Sequence, residues 1–179
     1  MAAEYLDVVS EENQVIGQAR RRAIHASGRW HRGVHVFLFT PDGKLLVQKR
    51  SHAQDTYPGA LDCSVSEHLR AGETYQEAAV RGLREELGLG AVPLTRMLQF
   101  KMNYGPGDNM INELYEGTLE GAPPRIDRHE IAHTAYYTLP ELEEMMTVGD
   151  ILFSSWFVQL LRWYAGRPAT LQVLWSSRA

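Results

Sequence analysis

A helix near the middle of the chain carries its acids where apolar residues belong. Thr74 with Glu77 three residues on has the form of a capping box, and Gly88 supplies a stop, so the spacing predicts a helix over 75–87. At about 100° per residue, Tyr75, Ala79, Leu83 and Leu87 make one apolar stripe, and Glu86 projects between Tyr75 and Ala79. Glu85 falls about 100° further round, near Ala78, while Arg81 and Glu77 lie towards the polar face. A carboxylate held against a protein interior must protonate, find a cation or coordinate a metal. An acid that snorkels or pairs with an arginine would explain Glu86 alone. It does not explain two adjacent acids with a third, Glu73, at the mouth of the helix. We read the set as oxygen ligands for a hard divalent cation, Mg²⁺ or Mn²⁺.

The rest of the chain narrows the setting. Its 179 residues suit one domain, 1–179, able to bury roughly 70% of its unfolded surface. With 44% hydrophobic and 22% charged residues the composition is globular. A net charge of -4 argues against nucleic-acid partners and against electrostatic docking on a membrane, so an anionic substrate must be met by local cations or a metal. Cys63, the single cysteine, rules out an internal disulfide and a cysteine-built zinc cage. Met1-Ala2-Ala3-Glu4 lacks the basic and apolar regions of a signal peptide, and no apolar run approaches the ~20 residues of a membrane span. A soluble cytoplasmic protein is expected.

Along the chain, an N-terminal hairpin (4–19) is expected from Tyr5–Val9 and Val15–Gln18, followed by a helical turn over 20–24. Pro41-Asp42-Gly43 joins two strands, 33–40 and 44–49. A strand over 60–65 leads into the capped helix. Strands over 94–102 and 110–119 flank Tyr104-Gly105-Pro106-Gly107-Asp108, Gly121-Ala122-Pro123-Pro124 is a surface connection, and 131–137 is the last strand. Helices are expected over 139–146 and 150–164. This order predicts an α+β fold, a mixed β-sheet sandwiched between helices, with its core at about 30–147 and a C-terminal helix and tail at 149–179. Trp156, Phe157, Leu160, Leu161 and Tyr164 form a broad apolar helical face; core packing is its default explanation, and a homodimer contact the alternative.

The stretch from Glu73 to Leu89 resembles the signature of the Nudix hydrolases: Glu73, Arg81, Leu83, Glu85, Glu86, Gly88 and Leu89 fall on its positions in register. The resemblance implies a Nudix fold and a Mg²⁺ site on the Glu85-Glu86 pair, used to cleave a diphosphate linked to another group, commonly in nucleotides. Two positions depart. Glu67 stands where the leading glycine is expected, and Gly82 where the first helical glutamate is expected. Either Gly82 allows close packing against a strand while Glu67 points to water, or Glu67, beside the metal loop, replaces the missing charge.

A second resemblance reaches further. Trp30-His31, Lys49-Arg50, Tyr57-Pro58-Gly59, Ser64-Val65-Ser66-Glu67-His68 and Asn112-Glu113 look like the isopentenyl-diphosphate isomerase branch of this superfamily. That branch implies a metal held by His31, His68, Glu86 and Glu113, and such a mixed nitrogen and oxygen set suits Mn²⁺, Zn²⁺ or Mg²⁺. The branch's active cysteine falls at Ser66, whose hydroxyl is far less acidic than a thiol, and an expected acidic ligand is Ile111. Cys63, three residues before Ser66, would face the other side of a strand. Isomerase activity is disfavoured on these grounds.

Diphosphate hydrolysis needs neutralised charge and an activated water. The assignments are Glu85 and Glu86 on the metal, with Glu67, His31 and His68 as further ligands. Glu113 completes the shell or acts as base, and Glu130 is a second base candidate or a surface acid beside His129. Arg81, one turn before Glu85, orients it through an ion pair. Glu73 closes onto the helix N-terminus. Lys49, Arg50 and Lys101 are candidates for the substrate phosphate. Tyr57, Tyr104 and Trp30 are available for stacking. The alternatives to a hydrolase are the isomerase and a non-catalytic nucleotide-sensing module.

Overall fold

The computed structural model describes residues 4–121 and 123–178; Ala122 of the predicted connection and the first three residues lie outside them. The chain runs β1 (Tyr5–Val9), β2 (Val15–Arg20), α1 (Arg21–Ser27), β3 (His31–Phe39), β4 (Leu45–Arg50), β5 (Leu61–Asp62) and β6 (Val65–His68). It continues through α2 (Tyr75–Leu87), β7 (Leu94–Asn103), β8 (Asn109–Thr118), β9 (Ile131–Tyr137), α3 (Leu139–Val148), α4 (Ser155–Tyr164) and β10 (Gln172–Ser176). β1 and β2 form the N-terminal hairpin; the other strands make one mixed sheet.

The centre of that sheet is β3, whose alternation divides the core. Val34, Val36 and Leu38 pack with Ala78, Ala79 and Leu83 of α2, while Phe37 packs with Phe157 and Leu160 of α4. Helices thus cover both faces, as predicted, and the apolar face of α4 is spent on the core. α2 has the expected boundaries, with a complete capping box between Thr74 and Glu77 and Gly88 in the left-handed conformation at its end.

The middle of the sheet departs from a simple hairpin. β3 and β4 pair only at Phe39 and Leu45, then part, and β6 takes the place beside β3. On the other side of β3, β8 runs parallel to it. The strand expected over 60–65 is therefore two short strands, broken at Cys63 and Ser64. The Ser64 hydroxyl replaces the missing rung, accepting from Leu38 N at 2.9 Å and donating to Leu46 O at 2.5 Å. This break carries Glu67 and His68 onto a strand instead of a loop.

Two further boundaries differ. α4 begins at Ser155, because Leu152 and Ser154 bond to the backbone of Leu61 and keep the preceding segment extended. The tail is an edge strand: β10 pairs with β7, and Trp175 lies under Arg96, whose guanidinium carbon is 4.3 Å from the ring centre. Among the described residues no helix is long and apolar enough to cross a membrane.

Candidate active site

Arg81 organises the helix end of the site, and not from the polar face where the periodicity put it. It is only 5% exposed. Its Nε donates to Glu73 at 2.7 Å, Nη1 reaches Glu67 at 3.1 Å and Glu85 at 3.5 Å, and Nη2 donates to the His68 carbonyl at 2.8 Å. A planar fork with donors in several directions can tie α2, β6 and the preceding loop together. Glu73 therefore answers to Arg81 and to the Arg70 amide more than to the helix end. Burial opposes its ionisation, yet the Arg81 bond brings its pKa below the usual carboxylate value.

Glu86 is the acid turned inward. One carboxylate oxygen, Oε2, accepts from Gln48 at 3.1 Å, while Oε1 is buried with no hydrogen-bond partner. Burial first, and then the nearby Glu67, push its pKa well above the ordinary value. Glu85 does not share this position: its side chain is 41% exposed at the rim, paired with Arg70 at 3.1 Å. Adjacent helical residues diverge by about 100°, so only one of the two can point at the sheet. Both line a cleft of about 300 Å³, and Glu67 and Glu130 line it too.

Three histidines meet at the other end of that cleft. His25 from α1, His31 from the start of β3 and His68 from the end of β6 place ligand nitrogens within 4.8 Å of one another. The His31 and His68 rings stack at 5.3 Å. Register brings this about, since Gly33 pairs with His68, next along the same strand face from His31. The Nε2 atoms of all three are buried without a hydrogen-bond partner. Asp108 Oδ1 is unpartnered as well, 3.5 Å from both His25 Nδ1 and His31 Nε2. Burial lowers the His31 pKa to about 4 and that of His68 well below its usual value, so both rings are neutral near pH 7 and free to ligate.

Several expected site residues lie elsewhere. Glu113 is turned to the α2 face of the sheet, where it meets Arg96 at 2.8 Å, Gln99 at 3.0 Å and Tyr115 at 2.7 Å, and it does not line the cleft. A β8 residue one step away in register would be needed on the histidine side. Lys49 sits between Gln48 and Arg50, which both line the cleft, so the strand's period of two turns it away. Lys101 pairs with Glu11 at 3.4 Å and lies over Trp30. Arg50 is in the cleft but is held by Asp62 at 2.8 Å. Cys63, expected opposite Ser66, comes with it to His35 because the strand is broken between them; its Sγ is 3.9 Å from His35 Nδ1.

The residues the sequence reading missed are His25, Asp108, Gln48, Asp62, His35, Arg21 and Arg70. His25, six residues before His31, falls just past the helical turn expected over 20–24, and α1 reaches it only because the helix runs on to Ser27. Asp108 sits in a glycine-rich turn that reaches the histidines only because Gly107 can pack where a Cβ would be 2.2 Å from the His25 carbonyl oxygen.

Residues 29–157 match the model of the NUDIX domain. The chain belongs to the Nudix family. This Nudix hydrolase is 37% identical over 152 residues to an uncharacterised Nudix hydrolase of Streptomyces coelicolor, covering 83% of this chain and 81% of that one. It is 35% identical over 170 residues to an isopentenyl-diphosphate Delta-isomerase of Streptomyces griseus, covering 92% and 84%. The crystal structure of DR0079 from Deinococcus radiodurans superposes with a TM-score of 0.75 at 28% identity, covering 89% of this chain and 98% of that one. The enzyme therefore lies in the branch of the Nudix superfamily that is similar to the isomerases.

Nudix hydrolases use divalent metal ions, and the donors of this one fit them. An unpartnered buried carboxylate oxygen on Glu86 beside Glu67 suits a hard cation; three unpartnered imidazole nitrogens with Asp108 suit a borderline one such as Mn²⁺ or Zn²⁺.

Proposed function

We propose that this Nudix enzyme is a divalent-cation-dependent hydrolase that cleaves a diphosphate linkage in a nucleotide-type substrate, a nucleoside diphosphate joined to another group. The observation that carries the reading is Glu86: a buried carboxylate with one free oxygen, in a cleft shared with Glu67, Glu85, His25 and His68. In this reading Glu86 and Glu67 hold Mg²⁺, with Glu85 at the rim, and His25, His31, His68 and Asp108 hold a second ion. A bound cation offsets the charge of the bridging oxygens and acidifies a water. Arg81 fixes the direction of Glu67 and Glu73. Arg21 and Arg70, both in the cleft wall and well exposed, meet the phosphate. In this reading Glu130, on the loop before β9, whose carboxylate accepts from Gln54, is the base that takes a proton from water; Glu113, the other candidate, does not line the cleft.

The test is phosphate release from nucleoside diphosphates, sugar nucleotides and isoprenoid diphosphates with added Mg²⁺ or Mn²⁺. Release should need metal and vanish in Glu86→Gln; undiminished release in that variant removes the assigned ligand. The histidine cluster and the Streptomyces griseus relative favour a second reading, isopentenyl-diphosphate isomerisation. Against it stand Ser66 at the thiol position and a β8 that offers the cluster no carboxylate. Conversion to the dimethylallyl isomer would reverse that judgement. Tight binding without turnover would identify a sensing module.

A further inference from the structure

His35 has no part in either ligand cluster, yet it lines the same cleft at 4% exposure. Ser66 Oγ lies 3.0 Å from its Nδ1, with Cys63 Sγ further off at 3.9 Å, and Tyr104 Oη lies 3.0 Å from Nε2. Ser66 in turn donates to Asp62 Oδ1 at 3.2 Å. Asp62 is wholly buried and fixed: Arg50 is 2.8 Å from Oδ2, while Trp156 Nε1 and the Ser154 hydroxyl donate to Oδ1 at 2.6 and 3.0 Å. A carboxylate ion-paired in this way accepts only, and that sets the direction of the whole chain of bonds.

With the Ser66 proton committed to Asp62, Ser66 Oγ must accept from His35, so Nδ1 carries the ring proton. Nε2 is then the acceptor and Tyr104 donates to it. Burial lowers the His35 pKa to about 4, consistent with a neutral ring that has one donor and one acceptor. Every proton along Tyr104, His35 and Ser66 thus points inward towards Asp62. What remains for the cleft are oxygen lone pairs, on the hydroxyls of the half-buried Tyr104 and Ser66, both of which line it.

We propose that the bonded series Tyr104–His35–Ser66–Asp62 makes the inner wall of the cleft an acceptor surface, which selects a phosphate ester whose organic group carries O–H or N–H donors over one that is hydrocarbon. His35 and Asp62 are positioning residues here; Ser66 and Tyr104 are the atoms that read the ligand. The selection deepens the diphosphate-hydrolase reading and rests on it for the phosphate's place in the cleft. A surface built to bond donors rejects an analogue without them far more strongly than an apolar pocket rejects a small change of size.

Two ligands of one shape separate donors from bulk: ribose 5-phosphate and cyclopentylmethyl phosphate. Binding of each to the full chain in Mg²⁺ is measured by calorimetry, with no turnover required. The sugar phosphate should bind at least about tenfold more tightly. Ser66→Ala and Tyr104→Phe should each bring that ratio towards one while leaving the cyclopentyl ligand unchanged, and Ser66→Thr should restore it. Ser66→Ala also removes the acceptor of His35 Nδ1, so Ser66→Thr, which keeps the hydroxyl, is the control for a change at His35. Equal affinity in the unaltered chain overturns the proposal and leaves hydrolysis standing. Binding of neither ligand overturns the proposal together with the phosphate site beneath it. A preserved ratio with no turnover of any diphosphate sinks the hydrolase reading alone.

Discussion

The Cβ that Gly82 lacks would stand 3.0 Å from Cγ of Glu67 and 2.4 Å from Cγ1 of Val65. α2 can lie this close to β6 only because the helix has no side chain at that point. A glycine inside a helix costs about 1 kcal/mol relative to alanine, and here the space it frees admits the stem of Glu67, whose carboxylate then reaches Arg81 at 3.1 Å. The two departures from the Nudix signature are thus one arrangement. The acid missing from the helix at 82 has a counterpart on the neighbouring strand.

Gly82→Ala should therefore destabilise the protein despite the better helix propensity. Overpacking against Val65 and Glu67 costs about 1–3 kcal/mol, which exceeds the propensity gain. Urea unfolding of the two proteins decides the sign. A gain in midpoint would mean that β6 yields freely, and the coupling of Gly82 to Glu67 would fall.

Arg81→Met should be far more damaging than its place in an exposed-looking run of charges implies. It leaves Glu67 and Glu73, both mostly shielded, without their common cation, and removing one partner of a buried pair costs about 3–5 kcal/mol. Glu85 is 41% exposed and adds little to that figure. Arg81→Lys should recover only part, because a single ammonium cannot span Glu73, Glu67 and the His68 carbonyl. Unfolding midpoints of the two variants check the order.

Local patterns in the chain were enough to specify α2, its caps and most strands, because those depend on spacing within ten or so residues. The capping box of Thr74 and Glu77 is of this kind, and so is the inward turn of Glu86. What failed depended on partners distant in sequence. Periodicity put Arg81 outside; three acids from three segments bring it in. The strand through Ala60–Val65 breaks because β3 and β4 part, which no residue in that strand announces. Glu113 has the right residue type, but the register of β8 on β3 turns it to the other face. His25 and Asp108 join His31 and His68 only through the docking of α1 and the turn before β8, so half of the histidine cluster was invisible.

The histidine cluster should bind Zn²⁺ or Mn²⁺ more tightly than Mg²⁺, since three imidazoles with one carboxylate suit a borderline ion. At a free ion concentration 100 times the Kd, binding stabilises the fold by about 2.7 kcal/mol, visible as a rise in Tm. His68→Gln should abolish that rise for Zn²⁺. Asp108→Asn should weaken binding without abolishing it. A Tm response to Zn²⁺ that survives His68→Gln would place the ion elsewhere.

Glu86→Gln provides the converse experiment, since here stability and ion binding should move in opposite directions. The folded pKa of Glu86 is raised above its unfolded value by burial and by Glu67. Such a group binds its proton more tightly when folded, so its contribution is fully present below the unfolded pKa and is lost as pH rises through the folded one. At pH 8 without metal the carboxylate is a burden of roughly 1 kcal/mol for each pKa unit of displacement. Glutamine keeps the shape, still accepts from Gln48, and carries no charge to desolvate. The variant should therefore unfold at higher urea than the parent at pH 8, and the gap should close as pH falls below about 3.5, where Glu86 is protonated in both states. Added Mg²⁺ should stabilise the parent at pH 8 and leave the variant unmoved, reversing their order. If the variant is less stable than the parent at pH 8 without metal, Glu86 already has a compensating cation within the protein, and the free oxygen is not a place for an ion.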